Sequence, residues 1–461
     1  MPVLRKKKHN HRFGPNMKNR IDLEQIFEAG IVGAGGAGFP THVKLSGSAD
    51  TLLINAAECE PLLHKDKELL RVEGPTFVEG VARAMSLTGA EKAIVGIKRK
   101  YESTINTLQP HLGPKMEIAG LDDAYPAGDE MILVHETLGR VVPPGGIPLQ
   151  VGCVVMNVET AYNVGRAEKT PVVDKYVSVA GAVAEPSTVL VPIGTSLAEC
   201  LEAAGGATID DPYFVIGGLM MGYLEADLSK PVEKTTGGII VLPENNTVVR
   251  RHRMEWGQIS RIGRSACDQC SFCTELCPRN LLGHPIEPHR AMRSLGFNLV
   301  GEANVAGTVF CSECGLCTFI ACPEDLDPRA VCVQNKKRIM EEGRRWENPP
   351  FMPNRADRHM KNRKTPTARL IQKLGISNYT NKGPISDVKI EPDSVLIRLK
   401  QHIGAPCEPT VQVGQAVERG DVVGRPPVKN GKPALGAPVH ASINGVVQAI
   451  EDGSVRIDRA E

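Results

Sequence analysis

The chain has 461 residues, 41% of them hydrophobic, a formal net charge of +1 and thirteen cysteines. Such a length can bury several cores, roughly three or four folding units, and a charge balance so near neutral supplies no overall pull toward nucleic acid or a membrane surface. Gly, Pro or charge interrupts every apolar run before the roughly 18 residues that a spanning helix needs, and Met1-Pro2-Val3-Leu4-Arg5 opens no apolar signal core, so the cysteines are expected in a reduced, cytoplasmic interior and not in disulfides.

Residues 1–20 carry Arg5, Lys6, Lys7, Lys8, Arg12, Lys18 and Arg20, no acid and few apolar side chains, and read as a disordered basic tail. From 21 to 172, short apolar runs such as Thr51 to Ile54 and Ala93 to Ile97 alternate with helical patterns such as Phe77 to Leu87, the signature of an α/β domain. Residues 173–250 hold Tyr176 to Gly181, Thr188 to Pro192 and the helical Ser196 to Ala204, a hairpin and helix that fit a small β-grasp module. The segment 251–340 holds the paired cysteine runs. Residues 341–390, crowded with Arg, Pro and Asn over 343–366, read as an exposed linker. Residues 391–461 show short β-type runs between Gly and Pro turns, including Val411 to Gly414 and His440 to Val447, which makes a small all-β domain. The fold class is therefore multidomain, α/β and α+β.

Cys267, Cys270, Cys273 and Cys277, followed by Pro278, reproduce C-x2-C-x2-C-x3-C-P, in which three close thiolates wrap one 4Fe-4S cluster. Cys311, Cys314, Cys317 and Cys322, followed by Pro323, repeat it with one extra residue before the last cysteine. Zinc sites also use thiolates, but zinc spacing groups cysteines in separated pairs, not in triplets with a trailing Cys-Pro. In two-cluster ferredoxins the fourth cysteine of each run binds the other cluster. That rule assigns Cys322 to Cys267, Cys270 and Cys273, and Cys277 to Cys311, Cys314 and Cys317. Cys153, Cys200, Cys332 and Cys407 lack such spacing and read as buried small residues.

Gly33-Ala34-Gly35-Gly36-Ala37-Gly38 satisfies G-x-G-x-x-G, with Glu58 twenty residues on. A dinucleotide-binding βαβ unit, however, needs a strand before the glycines and a long helix after them. Here Leu23 to Ala29 has a helical pattern and Phe39-Pro40 interrupts any helix after the glycines, which leaves a loop whose N–H groups can approach a phosphate or a flat ring. On Gly33 to Lys44 (GAGGAGFPTHVK), Asn55 to Pro61, Tyr125 to Glu130 and Asn157 to Thr160, in that order, the chain resembles the NADH-binding flavoprotein subunit of respiratory complex I. The resemblance implies FMN as cofactor and NADH as electron donor. It implies flavin contacts from Gly33, Gly35, Gly36, Lys44, Asn55, Glu58, Gly128, Asp129, Asn157 and Thr160, and a dinucleotide wall of Phe39, Glu60, Tyr125 and Glu130. Ala34 stands where that subunit carries arginine, so a guanidinium contact is missing. Cys59, inside the same motif, reads as a small packing residue and not a tuner of the flavin.

The order of a complex I flavoprotein-like FMN domain (21–172), an SLBB-like β-grasp module (173–250) and a two-cluster ferredoxin-like α-helical domain (251–340) is similar to RnfC subunits of membrane electron-transport complexes. Those subunits carry a barrel-sandwich hybrid domain at the other end. Here Val413-Gly414, Gly420 to Val423 and Asn444 to Val447 place such a domain last (391–461), with no carrier lysine in an Ala-Met-Lys-Met hairpin. With TTGGIIVLP, CTELCPR and LGAPVHASI added, the arrangement resembles the PduS-type cobalamin reductases of propanediol-utilisation microcompartments, over about Asp22 to the last residue. The resemblance implies an NADH-dependent oxidoreductase that passes electrons through FMN and two 4Fe-4S clusters to cob(III)alamin and cob(II)alamin, supporting coenzyme B12 recycling for a diol dehydratase. It also implies an adenosyltransferase and shell proteins as partners, neither nucleic acid nor an inserted membrane segment, and a place within a bacterial microcompartment. No side chain is expected to act as acid, base or nucleophile; protein groups position the carriers. His135 lacks the neighbours of an Asp-x-His-x-x-Gly corrinoid motif. Two alternatives therefore stay open: an RnfC-like subunit serving another acceptor, and a cluster relay that does not use NADH.

Overall fold

Leu52, Leu53 and Ile54 are buried on both sides of their strand, as a parallel sheet covered on two faces requires. The computed structural model describes residues 17–297, 305–344, 346, 355–429 and 431–460. In chain order the first domain runs α1 (Met17–Glu28), α2 (Thr41–Leu45), β1 (Thr51–Ala56), α3 (Lys65–Val72), α4 (Gly74–Thr88), β2 (Lys92–Lys98), α5 (Glu102–Leu108), β3 (Met116–Leu121), β4 (Ala124–Tyr125), α6 (Glu130–Leu138), β5 (Cys153–Asn157) and α7 (Val158–Arg166). Four of the strands form a parallel sheet of order β3-β2-β1-β5. From β1 the chain winds outward through β2 to β3, then returns to place β5 on β1's other flank. The strand order thus reverses between β1 and β5, and the crevice beyond their carboxyl ends is where an open α/β sheet receives a ligand.

The glycine loop comes after helix α1 and is closed by a bridge between Val32 and Pro40. The absence of a preceding strand agrees with the exclusion of a dinucleotide βαβ unit. Helix α1 begins at Met17, inside the stretch expected to be a basic tail; residues 1–16 lie outside the described residues.

The β-grasp module is built from β6 (Asp174–Gly181), β7 (Ser187–Pro192), β8 (Pro212–Ile216), β9 (Tyr223–Glu225) and β10 (Gly238–Pro243), which form a five-stranded mixed sheet of order β7-β6-β10-β8-β9. Its helix α8 (Leu197–Ala203) starts at a reciprocal Ser196/Glu199 cap, which satisfies two otherwise unpaired amides. A helical segment holding the cysteines comes next, and the last domain is built mainly on two small antiparallel sheets. One includes Ser394–Arg398, Gly445–Glu451 and Ser454–Arg459, the other Val422–Arg425 and Val439–His440.

The expected exposed linker is largely not one. Thr365–Pro366 pairs antiparallel with β4, and the helix Thr367–Lys373 is followed by fully buried Leu374 and Ile376, which join Leu370 in a core shared with Tyr125 and Cys314. Leu370 and Leu374 recur at helical spacing within a polar stretch, and that one apolar face finds a partner. Residues 345 and 347–354 lie outside the described residues. No helix among the described residues is long and apolar enough to cross a membrane.

Candidate functional site

Three of the four resemblance segments converge directly on the carboxyl ends of β1 and β5. Ala34 in the glycine loop donates its N–H to Thr160 Oγ1 at 3.0 Å. Asn55 Nδ2 donates to the carbonyl of Gly128 at 2.8 Å and so ties the end of β1 to the β4–α6 turn. Gly35 passes so close to Asn157 that a Cβ there would lie 2.1 Å from Asn157 Nδ2 and would push that side chain out of its place. Gly35 and Gly36 are exposed and their N–H groups make no hydrogen bond among the described residues, and a Cβ on Gly36 would meet open space. Free amides on a glycine loop at a sheet's switch point fit a phosphate-bearing planar cofactor. Lys44 stands at the same mouth, its Nζ donating to Val155 O at 3.0 Å and lying 3.5 Å from Glu130 Oε1, with both side chains about one third exposed.

Behind the loop sits a knot of buried charge. Lys175 Nζ, from β6, donates to the carbonyl of Ala34 at 3.2 Å and also to Glu159. Glu159 in turn accepts from Lys65 Nζ at 2.9 Å and from the Tyr176 N–H at 3.2 Å, and Lys65 reaches Asp66 at 2.7 Å. Burial alone would lift the Glu159 carboxyl, but Lys175 and Lys65 hold it below its usual range. Burial pushes Lys175 down to about 8, whereas Lys65, also opposed by burial, is carried upward by Asp66 and Glu159. Sequence reading assigned none of these three a role: Lys65 and Glu159 are 94 residues apart, and nothing local marks them as a pair. Glu58 faces the same knot, accepting from the N–H groups of Asp66 and Lys67 at 2.9 and 3.3 Å.

The expected dinucleotide wall divides in two. Phe39 and Glu130 are partly exposed at the mouth. Tyr125 is 2% exposed and donates its hydroxyl to the carbonyl of Cys314 at 2.9 Å. Glu60 accepts from the Met220 N–H at 3.0 Å, in a loop of the β-grasp module where a Cβ on Gly218 would lie 2.2 Å from the Glu60 carboxyl carbon. Burial lifts the Glu60 carboxyl to about 7. These two residues therefore face a closed seam between domains, because the β-grasp loop and the second cysteine run pack over them. Asp129 caps α6 through the Met131 and Ile132 amides and pairs with Arg279 at 2.8 Å, so it too joins the pocket to the cysteine segment. Cys59 packs in that seam with Tyr125 and Cys314.

The cysteines gather in two cradles. Cys267, Cys270, Cys273 and Cys322 line one cavity together. Cys277 lies close enough to Cys311 and Cys314 to feel their charge, and Cys317 feels Cys314, Cys311 and Cys277. Each run bends at the same two places: Gln269 and Ser271 have φ of 59° and 66°, Glu313 and Gly315 of 64° and 77°. Left-handed turns at these positions, three of them taken by residues other than glycine, are strained for L side chains and turn three thiols inward. Backbone N–H groups approach two of the sulfurs, Leu326 to Cys322 at 3.3 Å and Glu313 to Cys311 at 3.4 Å. Burial pushes the Cys273 and Cys314 thiols up to about 12, a penalty that metal coordination removes by deprotonating the ligand. Four inward thiols with amide donors fit a 4Fe-4S cluster in each cradle. Cys332, read as a small core residue, is fully buried in the small core against which Cys311 packs.

A phosphate-ready flavin pocket sharing a seam with one of two adjoining thiol cradles makes this chain an electron-transfer flavoprotein of the iron–sulfur type. The family models agree domain by domain: the Nuo51 FMN-binding domain matches residues 26–166, the SLBB domain 176–224, the 4Fe-4S dicluster domain 266–327 and the RnfC barrel sandwich hybrid domain 371–459. Over 439 residues the chain is 42% identical to cobalamin reductase PduS of Citrobacter freundii, covering 95% of this chain and 96% of that one, and it matches the same protein of Salmonella typhimurium with equal identity and coverage. It is also 34% identical over 264 residues to a subunit of the proton-translocating ferredoxin:NAD(+) oxidoreductase complex of Clostridium ljungdahlii, covering 56% of this chain and 55% of that one. The chain belongs to the cobalamin reductase PduS family.

Proposed function

We propose that this chain is an NADH-dependent reductase that delivers single electrons to cobalamin. One observation supports the coupling most directly: Tyr125, in a segment like the flavin-contact motifs of complex I, donates its hydroxyl to the backbone of Cys314. Bound FMN would convert a two-electron hydride donor into a source of single electrons, and the clusters carry one electron each. Gly33, Gly35, Gly36, Lys44, Asn55, Asn157 and Thr160 would hold the flavin, with Gly128, Glu58 and Asp129 shaping the pocket behind it. Phe39 and Glu130, at the open mouth, would orient the dinucleotide. Cys267, Cys270, Cys273 and Cys322 would ligate one cluster, and Cys277, Cys311, Cys314 and Cys317 the other.

Cobalamin as acceptor is inferred from the activity in the relatives' name. Membership of a propanediol-utilisation family favours a place inside a bacterial microcompartment beside an adenosyltransferase and shell proteins, where the reduced corrinoid is consumed. Anaerobic mixing of the FMN- and cluster-loaded protein with NADH and hydroxocobalamin tests the reading. Flavin bleaching followed by the cob(II)alamin spectrum is expected. Bleaching without corrinoid reduction would move the assignment to another acceptor, and no bleaching would leave a cluster relay that does not use NADH.

A further inference from the structure

The two cradles differ in their surroundings. The second run lies against the flavin domain and the β-grasp module. The Cys314 carbonyl takes the Tyr125 hydroxyl, Arg279, two residues after Cys277, pairs with Asp129, and Met220 packs at Gly315. Leu316, Phe319 and Ile320 share a core with Tyr125 and Cys59. The cradle of Cys267, Cys270, Cys273 and Cys322 has fewer such neighbours: Leu276, just before Cys277, reaches the Tyr125 core, but Cys267 and Cys322, together with Cys311, pack against a small core of Ile259, Met292 and Leu326 that, among the described residues, no flavin-domain residue enters. Its ligand Cys270 is exposed, and Phe272, between Cys270 and Cys273, is 48% exposed. Cys273 and Cys317 meet in one apolar cluster with Ala321, so the cradles adjoin.

We propose that electrons pass from the flavin pocket first to the cluster of Cys277, Cys311, Cys314 and Cys317, then to the cluster of Cys267, Cys270, Cys273 and Cys322, and that oxidised corrinoid docks on the exposed ligand loop of the latter. The order stands on the packing alone; the occupant rests on the cobalamin reading. A corrin is a broad ring whose face and peripheral methyl groups Phe272 can contact, beside the amide side chains on its edge. Its cobalt(III) aquo form is a cation, and the ligand loop offers it the exposed acids Asp268 and Glu324, which line the same cavity as the thiols. Attraction of this kind speeds encounter and weakens with salt. Each event moves one electron: the terminal cluster is oxidised by one electron while cobalt(III) becomes cobalt(II) and releases an axial ligand. One NADH thus reduces two cobalt(III) centres and yields NAD+ and one proton.

Two measurements on the loaded protein test this. After anaerobic NADH addition and freezing, wild type is expected to show the EPR signals of both reduced clusters. Cys314→Ala, or Cys317→Ser where the first variant does not fold, is expected to bleach its flavin yet leave the first-run cluster oxidised; reduction of that cluster to the wild-type extent overturns the order. Phe272→Lys is expected to keep both EPR signals while raising KM for hydroxocobalamin about fivefold or more, and an unchanged KM overturns the docking surface. If wild type reduces both clusters but not hydroxocobalamin, the corrinoid reading and its docking surface fall together, while the Cys314→Ala spectrum still decides the order.

Discussion

The flavin pocket and the cysteine cradles hold their contents by opposite means. The pocket is gathered from Gly33 to Thr160 and pinned by buried charges contributed from Lys65, Glu159 and, in the next domain, Lys175. Each cradle takes three of its four ligands from a single short loop whose left-handed turns aim the thiols inward. A site built from distant charges depends on the fold around it, whereas a site built from one loop carries most of its geometry in its own backbone. Only the fourth ligands break this contrast, since Cys322 stands with Cys267, Cys270 and Cys273, and Cys277 lies near Cys311 and Cys314.

The largest expected effect therefore comes from a fourth ligand. Cys277→Ala is expected to abolish the EPR signal of the cluster held by Cys311, Cys314 and Cys317 and to leave the first-run cluster intact. Loss of the first-run signal alone would restore each run to its own cluster and dissolve the comparison. Next in size is Glu159→Gln. Removing one member of a buried ion pair costs about 3–5 kcal/mol, because its partner is left charged and unpaired. Lys65 keeps Asp66, but Lys175 keeps only the Ala34 carbonyl, so the lysine that anchors the glycine loop is left without its counter-charge. Urea denaturation should show the destabilisation, and gel filtration should strip FMN while iron content stays at the wild-type level. Equal loss of iron and flavin would mean that the two regions are held by one network.

This contrast also explains what the sequence could reveal. Eight cluster cysteines were legible because cluster ligation is written in spacing, and the parallel-sheet domain was legible from alternating apolar runs. The flavin residues were legible through a family resemblance alone: Lys44, Asn55 and Glu58 have no local pattern that separates them from solvated residues. The charge knot was invisible because Lys65 and Glu159 lie 94 residues apart in the chain and Lys175 joins them from the next domain. Packing of the β-grasp loop and the second cysteine run hides Tyr125 and Glu60, which motif reading placed on an open wall. Leu370, Leu374 and Ile376 were passed over because their basic, proline-rich surroundings outweighed a helical apolar spacing only a few residues long.

Acid should act more on the flavin side. Burial holds His64, beside Lys67, and His440, beside Lys234, down to about 3, and His42 and His252 down to about 4. Each of these is neutral in the folded protein but gains a proton near its ordinary value of about 6.5 once unfolded. Below that pH the unfolded state binds more protons, so stability falls progressively until the folded pKa is reached. Glu60, lifted to about 7, works the other way, since its folded form holds a proton between its ordinary value and 7. Burial also raises Glu58 and Glu233, but it lowers His135, His284, His289 and His402 as well, so the net sign stays with the histidines. The melting temperature is expected to drop between pH 7 and pH 5, with flavin fluorescence released before the cluster absorbance fades. A melting temperature that rises over that interval would show that these histidines are not buried neutral.

The smallest effect is also the most specific, because Tyr125→Phe touches the bond that runs from the flavin domain straight to the backbone of a cluster ligand. The substitution keeps the ring packed among Leu62, Leu219 and Phe319 and removes only the hydroxyl, so the Cys314 carbonyl loses its 2.9 Å donor in a buried seam. A buried acceptor left unpaired costs about 1–2 kcal/mol, a modest shift in a urea midpoint. The informative readout is spectroscopic. The field and geometry around a cluster help set its potential and line shape, so the second-run EPR signal is expected to change while the first-run signal, with no flavin-domain residue in its core, stays as in wild type. Identical changes in both signals would mean that the cradles respond as one body, and that the asymmetry in their packing carries no functional direction.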